Sequence, residues 1–389
     1  MKTGILGGTF NPVHYGHLEM ARLAKETFDL DRVLLVCTAN PPHKQPSGHV
    51  SPQVRYEMLC AAMSPAYEGI YPCDIELCRG GVSYTSDTIA QLKHDFPHDD
   101  FYLILGSDML ESFPSWHEPL EITKNAQIIA VRRPNCEQDA EYSYAVNMIR
   151  ESLSGTVYEA EFFVPPISST EIRKRVYEAE PILGYLPYEV EKIIYKRALY
   201  SPADVHYITL DMQKRLNPKR FAHSISTMRE AILLADRYGA DKKKCRIAAL
   251  THDCEKAAGT DLVNAAYRCG LTPDAYELES PALIHAKLGA HMIRMRYGIK
   301  DKEIIDAVAV HTLAAPFMSK VAMVTYLADC IEPQRSYPDT DAIRHAASIS
   351  LKEGMLTAID LSEKFLVGVG KRLHPQTLAA REWLQTLEF

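Results

Sequence analysis

The sequence predicts a two-part molecule: an α/β domain built on a parallel sheet over residues 1–200, then an all-α domain over 201–389. Three observations carry this expectation. In the first half, short β-rich runs alternate with helical patterns, the grammar of βαβ units. In the second, strand-like runs nearly vanish and apolar residues recur at helical spacing, as in Ile225, Met228, Ile232 and Ala235, or Ile304, Ile305 and Val308. The halves also differ in charge, net −9 for 1–200 against +2 for 201–389.

In chain order, strands are expected at 3–6, 32–37, 69–76, 101–105, 126–131 and 161–164, with a helix opening near Gly16 after the first of them. An amphipathic stretch over 188–198 closes the first half. The junction falls at 199–202, where Ser201-Pro202 is expected to cap the next helix. The run 246–250 reads as a buried helix, and everything past 340 as helix without a motif.

Composition bounds the function. Hydrophobic residues at 47% and charged residues at 24% suit ordinary globular cores and exclude global disorder. A net charge of −7 repels phosphate backbones and excludes a broad nucleic-acid surface, but a small phosphorylated ligand needs only a local positive pocket. Nine cysteines, an odd number without a C-x-x-C pair, read as a reduced chain. No apolar run reaches membrane-span length, and the N-terminus enters a strand-like segment directly, so a cytoplasmic protein with neither membrane nor nucleic-acid partner is expected. A homo-oligomer stays open.

The densest chemistry lies in Gly7-Gly8-Thr9-Phe10-Asn11-Pro12-Val13-His14-Tyr15-Gly16-His17, between the first strand and a helix. A helix N-terminus at a strand's carboxyl end offers free N–H groups and a positive dipole to phosphate, and glycines let a ligand approach the backbone. His14 and His17, three apart, can point to one spot and suit charge developing on a phosphoryl group. Ser168 and Glu171 form an S-x-x-E capping box that presents the Ser169 and Thr170 N–H groups, with Arg173 one turn on. Lys44 follows two prolines that stiffen its loop. Asp108 follows a strand end, where a carboxylate serves ribose hydroxyls, a metal, or equally a helix N-cap.

Residues 7–17 resemble the signature of the nucleotidyltransferase superfamily. Four more segments are similar to its nicotinate-nucleotide adenylyltransferase branch: Thr38-Ala39-Asn40-Pro41-Pro42-His43-Lys44, Ser83-Tyr84-Thr85, Leu105-Gly106-Ser107-Asp108 with Trp116, and Ile167-Ser168-Ser169-Thr170-Glu171-Ile172-Arg173. The resemblance implies a Rossmann-like domain that transfers AMP from ATP to nicotinate mononucleotide with Mg²⁺, giving deamido-NAD and pyrophosphate without a covalent intermediate. His14, His17, Lys44 and Arg173 would be catalytic. Gly7, Gly8, Thr9, Phe10, Asn40, Asp108, Ser168, Ser169 and Thr170 would bind substrate, and Thr85, Trp116 and His117 would hold the nicotinate end.

In the helical half, His252-Asp253 ends an apolar helical run where a buried imidazole and carboxylate need partners. His223, His285, His311 and Asp329 sit beside core-type residues on separate helices. Imidazole plus carboxylate without thiolate favours iron, manganese or zinc; Cys254 and Cys330 adjoin ligands but should point elsewhere. The other two His-Asp pairs, His94-Asp95 and His98-Asp99, read as solvated loop residues.

The order of these residues, extended by Arg220-Phe221, Lys256, Thr312 and Ile331-Glu332-Pro333 with Arg335, resembles the symmetrical diadenosine tetraphosphatase branch of the HD phosphohydrolase superfamily. That implies a helical HD-type fold and a dinuclear iron or other transition-metal centre on His223, His252, Asp253, His285, His311 and Asp329. Asp253 and Lys256 would act in catalysis, Arg220 and Arg335 would meet the polyphosphate, and diadenosine tetraphosphate would yield two ADP. The alternative keeps the transferase and gives the HD half another nucleotide phosphoester or a nucleotide-sensing role. Ala286 and Leu313-Ala314-Ala315-Pro316 stand where the resemblance calls for glycine, and both bear on pocket shape.

Overall fold

In the computed structural model, residues 1–40, 50–132, 139–162, 164–257 and 259–387 are described. The chain packs as two compact units, one of residues 1–174 with 182–193, the other of 175–181 with 194–389. This differs from a single cut at residue 200, because two short segments before that point pack with the helical unit.

The first unit is a six-stranded, all-parallel sheet: β1 (Lys2–Gly8), β2 (Arg32–Cys37), β3 (Ile70–Cys73), β4 (Asp100–Gly106), β5 (Ala126–Arg132) and β6 (Val157–Glu161), in the order β3-β2-β1-β4-β5-β6. Central β1 sets Ile5 beside Leu34 of β2 and Leu103 of β4. All three side chains join one buried cluster with Phe101, Leu105 and Ile128, the continuous apolar pattern of strands covered on both faces. Strand order reverses between β1 and β4, and in open α/β sheets a ligand crevice forms at such a point.

Two strands depart from expectation. β3 stops at Cys73 and the chain turns into the helix Ile75–Arg79; β3 is an edge strand, where Pro72 with no N–H is tolerated. β6 runs four residues earlier than 161–164. Its register pairs Val157 with Ile128, and Pro165-Pro166, which cannot donate to a ladder, follow the apolar run that suggested the later position. Asp99 is not a solvated loop residue either. It is 7% exposed and accepts from Thr3 Oγ1 (2.7 Å), Arg32 Nη2 (2.9 Å) and the amino terminus (3.4 Å), tying β1, β2 and the chain start together.

The second unit is helical throughout its described residues. Its helices start on short polar caps: Asn217 before Pro218–Tyr238, Asp241 before Lys242–Thr251, Asp301 before Lys302–Val310 and Ser319 before Lys320–Ile331. Ser201 does not play this part; Pro202 holds the cap position of Ala203–Arg215 without a side-chain bond. Helix 320–331 is buried along Val321–Ala328, as expected of a helix apolar on all faces, and the others pack around it. Beyond 340 come Thr340–Ile349, Leu351–Gly368 and Pro375–Thr386. Among the described residues no helix is long and apolar enough to cross a membrane.

Arg246, 4% exposed, gives the second unit's earlier segment a physical role, donating to the carbonyls of Val176 (2.9 Å) and Tyr177 (3.3 Å). A buried donor without its acceptor costs about 1–3 kcal/mol. Residues 201–389 expressed alone are therefore expected to melt several degrees below a fragment that begins at 169. Equal melting temperatures would mean that Arg246 finds other partners at no cost.

Candidate functional site

The first site forms at the carboxyl ends of β1, β2 and β4. After β1 the chain turns through Phe10, whose left-handed φ of 45° sends its buried ring back beneath the loop. The helix Tyr15–Thr27 then starts with His14 at its cap, and the His17 N–H donates to the His14 carbonyl (3.0 Å). The two imidazoles lie with ring centroids 3.7 Å apart, and the Phe10 ring meets His17 edge-on at 5.0 Å. Phe10 thus props His17 rather than offering its own ring to a ligand. Gly16 sits in tight space: a Cβ there would lie 3.0 Å from the His14 ring and 3.3 Å from the Pro165 carbonyl, so those neighbours would have to give by a few tenths of an ångström.

The later motif closes onto the same loop. Ser168 Oγ accepts from the Glu171 N–H (3.1 Å), opening the helix Ser169–Glu178. Ser169 Oγ donates to the Pro12 carbonyl (2.8 Å), and Arg173 donates to the Asn11 carbonyl (2.8 Å) and Thr170 Oγ1 (3.0 Å). A segment about 160 residues away in sequence is thereby placed beside His14 and His17.

Asn40 and Ser83 join the other wall. The Asn40 N–H donates to Ser83 Oγ (3.2 Å), its amide to the Gly81 carbonyl (2.9 Å), and the Ser83 N–H to the Asn40 carbonyl (3.0 Å). Thr85 follows as the first residue of a helix. The Tyr84 and His117 rings lie 4.2 Å apart, and Trp116 packs on buried Phe113 with its Nε1 donating to Ser112 Oγ (3.2 Å). Asp108 is exposed in the first turn after β4, turned back over Gly106. Gly7 is open to solvent, with nothing near a Cβ built on it. Lys44 lies outside the described residues.

One residue escaped the sequence reading. Arg55 is fully buried, and its guanidinium donates to the carbonyls of Thr9 (2.6 Å) and Ala39 (3.0 Å), clamping the loops after β1 and β2. Its place on the first face of helix Pro52–Ala61 carries no motif, and only the burial of a cation marks it. Arg55→Met is expected to lower stability by about 2–4 kcal/mol, from two stranded carbonyls. Chemical denaturation checks this; a wild-type value would remove Arg55 from the loop's support.

The second site lies where five helices of the second unit meet: Pro218–Tyr238 and Ile284–Tyr297 near their starts, Lys242–Thr251, Lys302–Val310 and Lys320–Ile331 at or near their ends. His223, His252, His285 and His311 are each 7% exposed or less, and Asp253 is fully buried. Each ring is held through Nδ1. His252 donates to the Ala249 carbonyl (2.7 Å), His311 to Val308 (2.7 Å), His285 to Ala282, and His223 to the carboxylate of Glu332 (3.1 Å). A carbonyl only accepts, so in His252, His285 and His311 the proton sits on Nδ1 and the lone pair on Nε2 points inward; in His223 burial works against charge, yet the Asp329 and Glu332 carboxylates raise the pKa.

Those Nε2 atoms converge in two groups. His223 and His252 approach to 3.2 Å, with Asp329 Oδ1 at 2.9 Å and 3.7 Å respectively. His285 and His311 approach to 2.9 Å, with Asp253 Oδ1 at 3.2 Å and 3.6 Å. Asp253 Oδ2 faces the first group, 3.8 Å from His223 and 3.5 Å from His252, so one carboxylate addresses both. Burial pushes the His285 pKa down to about 4 and that of His252 to about 3. Lone pair facing lone pair at 2.9 Å is a contact that only a shared proton or cation relieves, and the donor set fits metal ions. His223 and His252 with Asp329, and His252 and His311 with Asp253, are each close enough to share one ion.

Cations rim the carboxylates. Arg220 Nη1 lies 2.7 Å from Asp253 Oδ2, Lys256 Nζ 3.0 Å from Asp253 Oδ1, and Arg335 bonds Asp329 while its Nη2 is 3.3 Å from His223 Nε2. Burial works against charge on Asp253, yet the facing imidazoles and Lys256 hold its carboxyl well below the usual range. Cys254, in the turn after the helix Lys242–Thr251, points its Sγ away toward the Gly289 carbonyl. Glu332, also missed as a site residue, orients His223 in the way carboxylates commonly orient metal-binding histidines. Arg344 in turn holds the Ile331, Glu332 and Arg335 carbonyls.

A cytidylyltransferase-like family model matches residues 5–175, and an HD domain model matches 220–334. Fold and sites together define a nucleotidyltransferase-type α/β unit followed by a helical HD domain. The probable nicotinate-nucleotide adenylyltransferase of Dictyoglomus thermophilum is 40% identical over 202 residues, which cover 51% of this chain and 100% of that relative. The corresponding protein of Geotalea uraniireducens is 37% identical over 218 residues, covering 52% and 100%. Through its first half, the chain belongs to the nicotinate-nucleotide adenylyltransferase family. The crystal structure of a predicted HD superfamily hydrolase involved in NAD metabolism from Clostridium acetobutylicum has 32% identity and a TM-score of 0.45, covering 46% of this chain and 96% of that one.

Proposed function

We propose that the first unit transfers AMP from ATP to nicotinate mononucleotide. A phosphate oxygen of the mononucleotide attacks the α-phosphorus of ATP, the bond to the β-phosphate oxygen breaks, and pyrophosphate leaves with that electron pair. His14, His17 and Arg173, with Lys44, stabilise the charge on the transferring phosphoryl group, and Mg²⁺ accompanies ATP. The observation that carries this reading is the closure of Ser169 and Arg173 onto the Asn11-Pro12 carbonyls beside the two histidines. Thr85, Trp116 and His117 would hold the nicotinate carboxylate. Purified protein is expected to prefer nicotinate over nicotinamide mononucleotide by roughly 10²-fold in kcat/KM, since a site built for a charged group penalises its neutral amide. Equal turnover of the two would refute the specificity.

For the second unit we propose a metal-dependent phosphohydrolase that cleaves diadenosine tetraphosphate symmetrically to two ADP. His223, His252 and Asp329 would hold one ion, His285 and His311 a second, with Asp253 shared; the donors suit iron, manganese or zinc, and the resemblance favours iron. Bound metal supplies Lewis acidity toward a phosphoryl oxygen. Arg220, Lys256 and Arg335, released from the carboxylates, would receive the polyphosphate charge. The inward-facing Nε2 set carries this reading. Metal analysis of the purified protein together with product analysis tests it: stoichiometric metal with AMP and ATP as products would refute symmetrical cleavage and keep the metal site.

A further inference from the structure

The turn after His311 holds two residues in a strained backbone conformation. Ala314 and Phe317 both stand in the left-handed region, with φ of 56° and 60°, a conformation costly for any residue with a Cβ and worst for a bulky one. Phe317 gains no burial in return. At 84% it is the most exposed of the large hydrophobic residues described.

The final helix, 375–386, maintains this turn. Thr377 Oγ1 donates to the Leu313 carbonyl (2.6 Å) and Gln376 Nε2 to the Ala314 carbonyl. The same helix brings Trp383 to a ring-centroid distance of 6.0 Å from Phe317, with the planes inclined at 53°. The part of the chain past 340 that carries no motif therefore acts on the loop leaving a metal-ligand candidate. Phe317 is six residues from His311, at most about 20 Å of extended chain, and the bond from the Ala314 N–H to the Val310 carbonyl (2.8 Å) folds that length back.

We propose that Phe317 and Trp383 form an aromatic platform on which the purine base of the phosphohydrolase substrate stacks. The inference rests on reading the second unit as a nucleotide phosphohydrolase. The chemistry is complementary: three cations, Arg220, Lys256 and Arg335, rim the metal-ligand cluster and suit phosphates. The exposed Phe317 ring, with the half-buried Trp383 ring against it, suits the base at the other end of the ligand. Stacking tolerates any base with a π-face, so the platform selects nucleotides over bare polyphosphate rather than one purine over another. The strained φ of Phe317 keeps its ring out in solvent, where an unstrained turn would leave it free to fold onto the surface.

The chain has two tryptophans, so full-length, metal-loaded protein carrying Trp116→Phe reports on Trp383 alone. ADP is expected to quench its emission. Adding Phe317→Gly, which relieves the backbone strain and leaves the melting temperature equal or higher, should raise the ADP concentration for half-quenching about tenfold. The same change should raise KM for diadenosine tetraphosphate about tenfold and leave KM for inorganic tripolyphosphate within about twofold. Unchanged ADP quenching on Phe317→Gly overturns the platform, as does an equal rise in KM for both substrates. A shift in oligomeric state without a change in ADP binding would make the pair an interface between copies and overturn it as well. Wild-type protein that hydrolyses neither substrate would fail the phosphohydrolase reading alone, with ADP quenching still deciding the platform.

Discussion

Asp253→Ala is expected to abolish phosphohydrolysis, with a loss of roughly 10³-fold or more, while adenylyl transfer continues at the wild-type rate. Changing a group that merely orients a metal ligand typically costs 10–100-fold, and Asp253 does more. Its Oδ1 faces His285 and His311, and its Oδ2 faces His223 and His252. Removing it would expose two bound cations to each other and strand Arg220 and Lys256 beside an emptied centre. The transferase assay in the same sample shows that the first unit is untouched, and a thermal melt against wild type reports whether the second unit, which has its own core, still folds. Retained hydrolysis with the metal lost would overturn the assignment of this half; lost hydrolysis together with a lost melting transition would point to misfolding, and Asp253→Asn, which keeps the volume, would separate the two cases.

His17→Ala should have the second largest effect, lowering kcat for adenylyl transfer by about 10²–10³-fold and changing KM by far less. The ring is held edge-on by Phe10 and stacked near His14, so it is positioned before substrate arrives. A group fixed in advance acts mainly on charge that develops in the transition state, and little on ground-state binding. An unchanged kcat would remove His17 from the chemistry. A rise in KM alone would make it a binding residue.

Several features were legible because they are local. Alternating β and helical patterns located β1, β2, β4 and β5 within a residue or two, since each is a continuous apolar run buried on both faces. The edge strands β3 and β6 were misplaced because an edge is only partly buried and its pattern competes with neighbouring apolar runs. The first-site motifs could be found because the turn from β1 into the following helix carries its glycines and histidines at short spacing. In the second half, the six metal-ligand candidates could be named from their apolar neighbours, though nothing local shows which of them pair.

By itself, then, the sequence determined the two kinds of unit, the order of the motifs and the residue types available for chemistry. All of these depend on interactions within a turn or two of the backbone. Tertiary structure alone decided the rest: that Arg173 meets the Asn11 carbonyl, that buried Arg55 joins the loops after β1 and β2, and that Asp99 is a buried tie. It also decided that Asp253 divides its oxygens between two histidine pairs and that the last helix holds the His311 turn. The physical reason is common to all of them. Each is a polar group wholly or partly withdrawn from water against partners as far as 162 residues away, and its energy comes from desolvation and pairing that exist only once the chain has folded.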